Sequence, residues 1–154
     1  MKESISNIIS QLKTCWKQKN LQEGAKIHAK IVSIDLLGKH PYIGSCLVTM
    51  YAKCGAVVKS QEVFDGLWVR NVVIWNALLA GYVQHGRNEE TLDLFDQMHI
   101  EGFSPDDITY ICILKACTNM GAINKGTKIH DEIVKKDMMG KNISLDTTVI
   151  TMYA

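Results

Sequence analysis

Apolar residues recur along this chain at spacings of three and four, and the recurrence is interrupted at regular places. In "VVIWNALLAGYVQHGRNEETLDLFDQMHIEGFSPD", residues 72–106, one apolar run covers Val73 to Val83 and a second covers Leu92 to Ile100. The second run sets Leu92, Phe95 and Met98 on one helical face with Leu94 beside them, the spacing that buries a single stripe. Gln84-His85-Gly86-Arg87-Asn88 separates the runs, and Ser104-Pro105-Asp106 closes the stretch, because a residue before proline is pushed out of the helical region. The pattern predicts two short helices in a hairpin of 35 residues. Chains below about 40 residues seldom bury a sufficient core alone. This hairpin needs neighbours of its own kind.

The rest of the sequence supplies them. "LKTC" at Leu12 returns as "LKAC" at Leu114, "GAKIHAKIV" at Gly24 returns as "GTKIHDEIV" at Gly126, and "TMYA" at Thr49 returns at Thr151, each 102 positions later. A shared offset over separate segments marks a tandem array. The offset divides into units 5–40, 41–71 and 72–106, of 36, 31 and 35 residues, and the cycle restarts at 107–142 and 143–154. Gly55, Gly86 and Gly121 each hold the fifteenth position of a unit, where a left-handed residue closes the first helix. The first unit has Lys19 there, which predicts a less well-formed turn, with Asn20 at hand. Asn20 ahead of Glu23, and Asn88 ahead of Glu89 and Glu90, read as helix starts of the capping-box type. No strand signal competes, since "NVVIW" reads as a helix entry. The predicted fold class is all-α, an α-solenoid of stacked antiparallel helix-turn-helix units.

Composition narrows the functional classes. A hydrophobic fraction of 47% and a charged fraction of 21% are those of a globular protein. No apolar run approaches the roughly 18 residues of a membrane span. The start, "MKESISNIISQLKTCW", has neither the apolar core of a secretory signal nor the acid-poor, Arg-rich character of a transit peptide. Without a signal peptide, the Asn142-Ile143-Ser144 sequon carries little weight. Cys15, Cys46, Cys54, Cys112 and Cys117 include no C-x-x-C pair, which predicts reduced, mostly buried thiols rather than a metal site. The net charge of +1 hides an uneven distribution, +4 over residues 1–40 and −5 over residues 72–106. No broad basic patch emerges, so a nucleic-acid partner would have to be held largely through its bases. Phosphate-binding glycine loops, H-E-x-x-H and nucleophile motifs are missing. Neither catalysis nor a cofactor nor a metal is expected.

Several fragments together carry a family resemblance. "FxxM…G…PD" (Phe95, Met98, Gly102, Pro105, Asp106), "MYAKCG" (Met50 to Gly55), "VFD" (Val63 to Asp65) and "VVIWNALLAGYVQHG" resemble pentatricopeptide repeats. The alternation of 36, 31 and 35 residues looks like the long, short and standard units of the plant-type PLS subfamily. The resemblance covers residues 5–154 and implies a right-handed superhelix that works as a monomer. It implies binding of single-stranded RNA, one base per repeat, through two or three side chains. RNA-editing or RNA-processing proteins are the further partners it implies, and a mitochondrion or chloroplast the setting. The array breaks off at Ala154 inside the first helix of a fifth unit, which reads as a fragment or a truncated model; a cytidine-deaminase-like domain does not follow.

In such repeats the fifth and last residues of a unit choose the base, and the second residue sandwiches it. Carried over, residues 41–71 offer Ser45 with Asn71, a pair favouring adenine, and residues 72–106 offer Asn76 with Asp106, a pair favouring uracil. Tyr42, Val73 and Ile108 fall at the sandwiching position. The long units offer Ile9 with His40 and Ile111 with Asn142, and isoleucine has no polar edge to read a base with. Thr147 leans to a purine. From 5′ to 3′ the resemblance implies an unspecified base, A, U, an unspecified base, then a purine.

Simpler roles stand beside these. Ser45 and Asn76 are also ordinary polar residues of an amphipathic helix, and Asp106 suits a helix N-cap. His28 and His130 are expected to pack between second helices, and Trp16, Trp68 and Trp75 to pack inside, with Trp75 facing the hairpin interior. Two other readings remain open: a tetratricopeptide-like scaffold that binds a peptide, and a non-functional gene fragment. The uniform 34-residue period of the former fits poorly with a 36-31-35 cycle.

Overall fold

The computed structural model describes residues 4–154. Among them are nine α-helices and no strand: α1 (Ile5–Gln18), α2 (Leu21–Ser33), α3 (Pro41–Lys53), α4 (Val57–Asp65), α5 (Val72–Gln84), α6 (Asn88–Ile100), α7 (Asp107–Met120), α8 (Ile123–Lys135) and α9 (Ile143–Tyr153). The chain divides into two compact units, one up to Gly81 and one from Tyr82 to Ala154.

In the first unit, α1 packs on α2 and on α3, and α3 packs on α4. Ile8, Leu12, Ile31, Ile43, Leu47 and Met50 are fully buried there. Ser60 donates to the Val48 carbonyl at 2.8 Å, fastening α4 to α3 by a buried hydrogen bond. Trp75 of α5 is fully buried and meets Phe64 of α4 edge to face, with centroids 4.6 Å apart. Close approach of α5 to α3 depends on Gly81, where a Cβ would lie 2.5 Å from the Ala52 Cβ. In the second unit, α6 packs on α7, and α7 on α8 and α9. Leu92, Phe95 and Met98 are buried as one stripe, while Leu94 is half-buried.

The helix ends follow local chemistry. Gly55, Gly86 and Gly121 have φ of 85°, 75° and 67°. Lys19 takes the same left-handed conformation, with φ of 55°, and its backbone N–H bonds the Cys15 carbonyl. The poorer turn expected in the first unit is therefore not found. The Lys19 ammonium donates to the Lys53 carbonyl at 2.8 Å, and Asn20 Oδ1 accepts from Glu23 N at 3.2 Å, which together hold the turn. The expected capping role of Asn88 also fails. Arg87 occupies the N-cap of α6, and Asn88 is the first helical residue. Glu89 and Glu90 still complement the positive end of that helix.

Two packing expectations are corrected. His28 and His130 do not pack between second helices; each links a second helix to the first helix that follows. His28 Nδ1 lies 2.8 Å from the Tyr51 hydroxyl on α3, and His130 Nδ1 lies 2.9 Å from the Tyr153 hydroxyl on α9. Trp68 is 98% exposed. Its neighbour Leu67 is half-buried and lies against Gly44. Trp16 is half-buried.

Candidate nucleic-acid interface

The residues of interest sit at the starts of the first helices, where the sequence places both a cap and the first exposed face. Asn71 Oδ1 accepts from Ile74 N at 3.0 Å at the head of α5. Asp106 Oδ1 accepts from Thr109 N at 3.1 Å, and Thr109 Oγ1 accepts from Asp106 N at 3.1 Å, a complete capping box on α7. Asn142 Oδ1 accepts from Leu145 N at 3.2 Å on α9, and its amide donates to the Asp107 carboxylate. Three last-of-unit residues are thus oriented by the helices they cap. His40 holds the matching place before α3 without a side-chain cap bond, and its Nδ1 is buried with no hydrogen-bond partner among the described residues.

The fifth-position residues lie one turn into the neighbouring helices. Ser45 on α3 and Asn76 on α5 are buried, at 7% and 6% exposed. Ile9 and Ile111 are half-buried, and Thr147 is exposed. Because α1 packs beside α3, the head of α3 with His40 neighbours the helix that carries Ile9; α7 and α9 relate Ile111 to Asn142 in the same way.

The second-position residues behave differently. Tyr42, Val73 and Ile108 are 47%, 59% and 52% exposed, each on the second residue of its helix. Scattered surface apolar residues need no explanation. Three at one register are not scattered.

The five thiols are free, and all but Cys54 are buried. Burial raises the pKa of Cys15, Cys46, Cys54 and Cys117, and pushes Cys112, next to Ile111, up to about 11. A thiol held protonated is a weaker nucleophile than a thiolate. No group of three or more His, Cys, Asp and Glu among the described residues could hold a metal ion. No helix among them is long and apolar enough to cross a membrane.

Sequence reasoning missed one feature, a groove of about 460 Å³ between α7 and α9 that contains Lys115 and several threonines as well as Thr147. A signal was present. Lys13 and Lys115 both follow the isoleucine of a long unit by four residues, 102 positions apart.

Consecutive helical hairpins with repeated caps define the solenoid class. Within that class, a model of the PPR repeat family matches residues 70–119. Pentatricopeptide repeat-containing protein At2g13600 of Arabidopsis thaliana is 37% identical over 145 residues, 94% of this chain and 21% of the relative. The mitochondrial At3g02330 of the same plant is 41% identical over 115 residues, 75% of this chain and 13% of the relative. The chloroplastic At4g18520, also from Arabidopsis thaliana, is 32% identical over 146 residues, 95% of this chain and 23% of the relative. The crystal structure of pentatricopeptide repeat protein PPR10 in complex with an 18-nt psaJ RNA element has the same fold, with a TM-score of 0.77 at 22% identity, covering 99% of this chain and 22% of that one. The chain belongs to the pentatricopeptide repeat family. It spans about a fifth of the length of the curated relatives first matched.

Proposed function

We propose that this chain is a base-reading segment for single-stranded RNA, of the PLS type, within an organellar RNA-processing or RNA-editing specificity factor. The observation that carries the reading is the shared exposure of Tyr42, Val73 and Ile108. An apolar side chain held out at a fixed place in each repeat offers a face on which a base can stack. Stacking contributes about 1–3 kcal/mol per base and tolerates any base, so selection has to come from polar edges nearby. Ser45 with Asn71 supplies such edges in one repeat, and Asn76 with Asp106 in the next. The capping bonds of Asn71 and Asp106 hold those side chains in fixed orientations, which lowers the entropic cost of reading. Ile9 and Ile111 supply none, so their repeats span a nucleotide without choosing it. Thr147 favours a purine. The bound RNA reads any base, A, U, any base, purine. Two selective repeats give weak affinity by themselves, which fits a chain that acts as part of a longer reader.

The test grafts residues 41–106 into a longer array of the same family and measures binding to RNAs that differ only at the two facing bases. An A-U preference that moves to A-G in Asn76→Thr is the expected result. Equal binding to every sequence, unchanged by the substitution, would reduce these repeats to spacers.

A further inference from the structure

Cys15, in the last turn of α1, and Cys54, the C-cap of α3, meet where these two packed helices end. The Cys54 S–H donates to the Cys15 carbonyl at 3.7 Å, so its sulfur already lies against the residue that carries the other thiol. Cys15 is 3% exposed, whereas Cys54 is half-buried and is the one cysteine open to a reagent from water. Lys19 sits at the same place. Its N–H bonds the Cys15 carbonyl, and its ammonium donates to the carbonyl of Lys53, the residue before Cys54. Burial raises the Cys54 pKa, and the Lys19 charge opposes that rise. Lys19 does this from a left-handed backbone, with φ of 55°, at a position that Gly55, Gly86 and Gly121 fill in the other units. A side chain kept where glycine is easier holds strain, and such strain points to a task. The task here is a cation beside a half-buried sulfur, a setting that favours the thiolate.

We propose that Cys15 and Cys54 are a redox pair that closes into a disulfide between α1 and α3 on reaction with a small-molecule disulfide such as glutathione disulfide. The Cys54 thiolate attacks one sulfur of the small disulfide; a mixed disulfide forms and one small thiolate leaves. The Cys15 thiolate then attacks the Cys54 sulfur, which forms the Cys15–Cys54 bond and releases the second small thiolate. Two protons leave the protein thiols, and two electrons pass to the small disulfide, which ends as two thiols. Access fixes this order, because Cys15 is out of reach of an outside reagent. Burial keeps both thiols largely protonated, so closure is slow. The closed form ties the first hairpin to the second and restricts the unfolded chain. The pairing is independent of what the array binds.

The test uses the whole 154-residue chain, reduced and folded. It is incubated with glutathione disulfide, alkylated in denaturant, digested with trypsin and measured by mass spectrometry. The expected product joins residues 14–17 to residues 54–59 through Cys15 and Cys54, while Cys46, Cys112 and Cys117 are alkylated. Cys15→Ala halts the reaction at a glutathione adduct on Cys54. Cys54→Ser leaves the other four thiols free. Lys19→Gln keeps a donor for the Lys53 carbonyl but removes the charge, and slows the loss of the Cys54 thiol about 2- to 5-fold. The closed form melts at a higher temperature than the reduced chain, and a reductant abolishes the difference. An adduct that persists on Cys54 in the wild type without closing overturns the pair. So does an unreacted Cys54, or a disulfide that joins two chains or uses another cysteine. Closure at an unchanged rate in Lys19→Gln overturns the part assigned to Lys19.

Discussion

The α1–α3 and α7–α9 regions are two copies of one arrangement, 102 positions apart, and they are finished differently. His28 meets Tyr51 with ring centroids 5.5 Å apart, and His130 meets Tyr153 at 5.4 Å. Gly24 faces the end of Met50 and Gly126 faces the end of Met152, each too close for a Cβ to fit without movement. These contacts repeat because each joins a second helix to the first helix that immediately follows it. Burial does not repeat. Tyr51 is 2% exposed and Tyr153 is 47% exposed. α5 lies against α3 through Gly81 and Ala52, whereas α9 is the last helix described and leaves Ile143 and Ile150 exposed. The geometry of a contact is thus set between adjacent helices, while its energetic weight depends on the next helix in the stack. This is nearest-neighbour behaviour expected of repeat proteins.

The difference can be broken most strongly at the paired glycines. Gly24→Ala forces a methyl group into the fully buried Met50 side chain and is expected to cost about 1–3 kcal/mol. Gly126→Ala is expected to cost less, about 1 kcal/mol, because Met152, though buried, sits on α9, whose neighbouring Ile150 and Tyr153 are exposed. Urea unfolding of the two variants measures both. Equal costs would mean that α9 is held as firmly as α3.

A smaller effect is expected at the paired tyrosines. Tyr51→Phe removes the hydrogen bond to His28 and should cost about 1 kcal/mol, while Tyr153→Phe should cost a few tenths. The His28 contact also carries a pH signature. Burial first, and the charge of Lys59 second, hold the His28 pKa below its ordinary value of 6.5. The unfolded chain then binds the proton first as the pH falls. The His28 contribution to stability is complete above about 6.5 and is lost as the pH drops through the lowered folded-state value. Urea midpoints taken on either side of 6.5, for the wild type and for His28→Gln, isolate this dependence.

The turns separate the two copies by sign rather than by size. Lys19 and Gly121 share a left-handed conformation that disfavours any side chain. Lys19→Gly is expected to stabilise by about 0.5 kcal/mol, less than the full strain because the bond to the Lys53 carbonyl is lost. Gly121→Lys should destabilise by about 1 kcal/mol. Thermal melts of both variants check the sign. A destabilised Lys19→Gly variant would make the ammonium contact the stronger term.

Helix order, turn positions and the caps at Asn20 and Asp106 were legible in the sequence because each arises within a few residues. Capping depends on an oxygen three positions before an amide, and a turn depends on which residue tolerates positive φ. Asn88 was misread because Arg87 and Asn88 both allow a helix start, and local chemistry does not choose between them. Lys19 was misread because its support, the Lys53 carbonyl, comes from α3. The candidate site divides along the same line. Ser45, Asn76, Tyr42, Val73 and Ile108 became candidates through the family resemblance and their places in the repeats. Their exposures, and the groove between α7 and α9, depend on which helix lies alongside. The sequence by itself determined where helices begin and end and how often the unit repeats, since those are short-range interactions. Only the tertiary structure decided that Trp68 points outward, that His28 reaches Tyr51 and that Tyr153 is half uncovered, because burial is a property of neighbouring helices and not of the residue being buried.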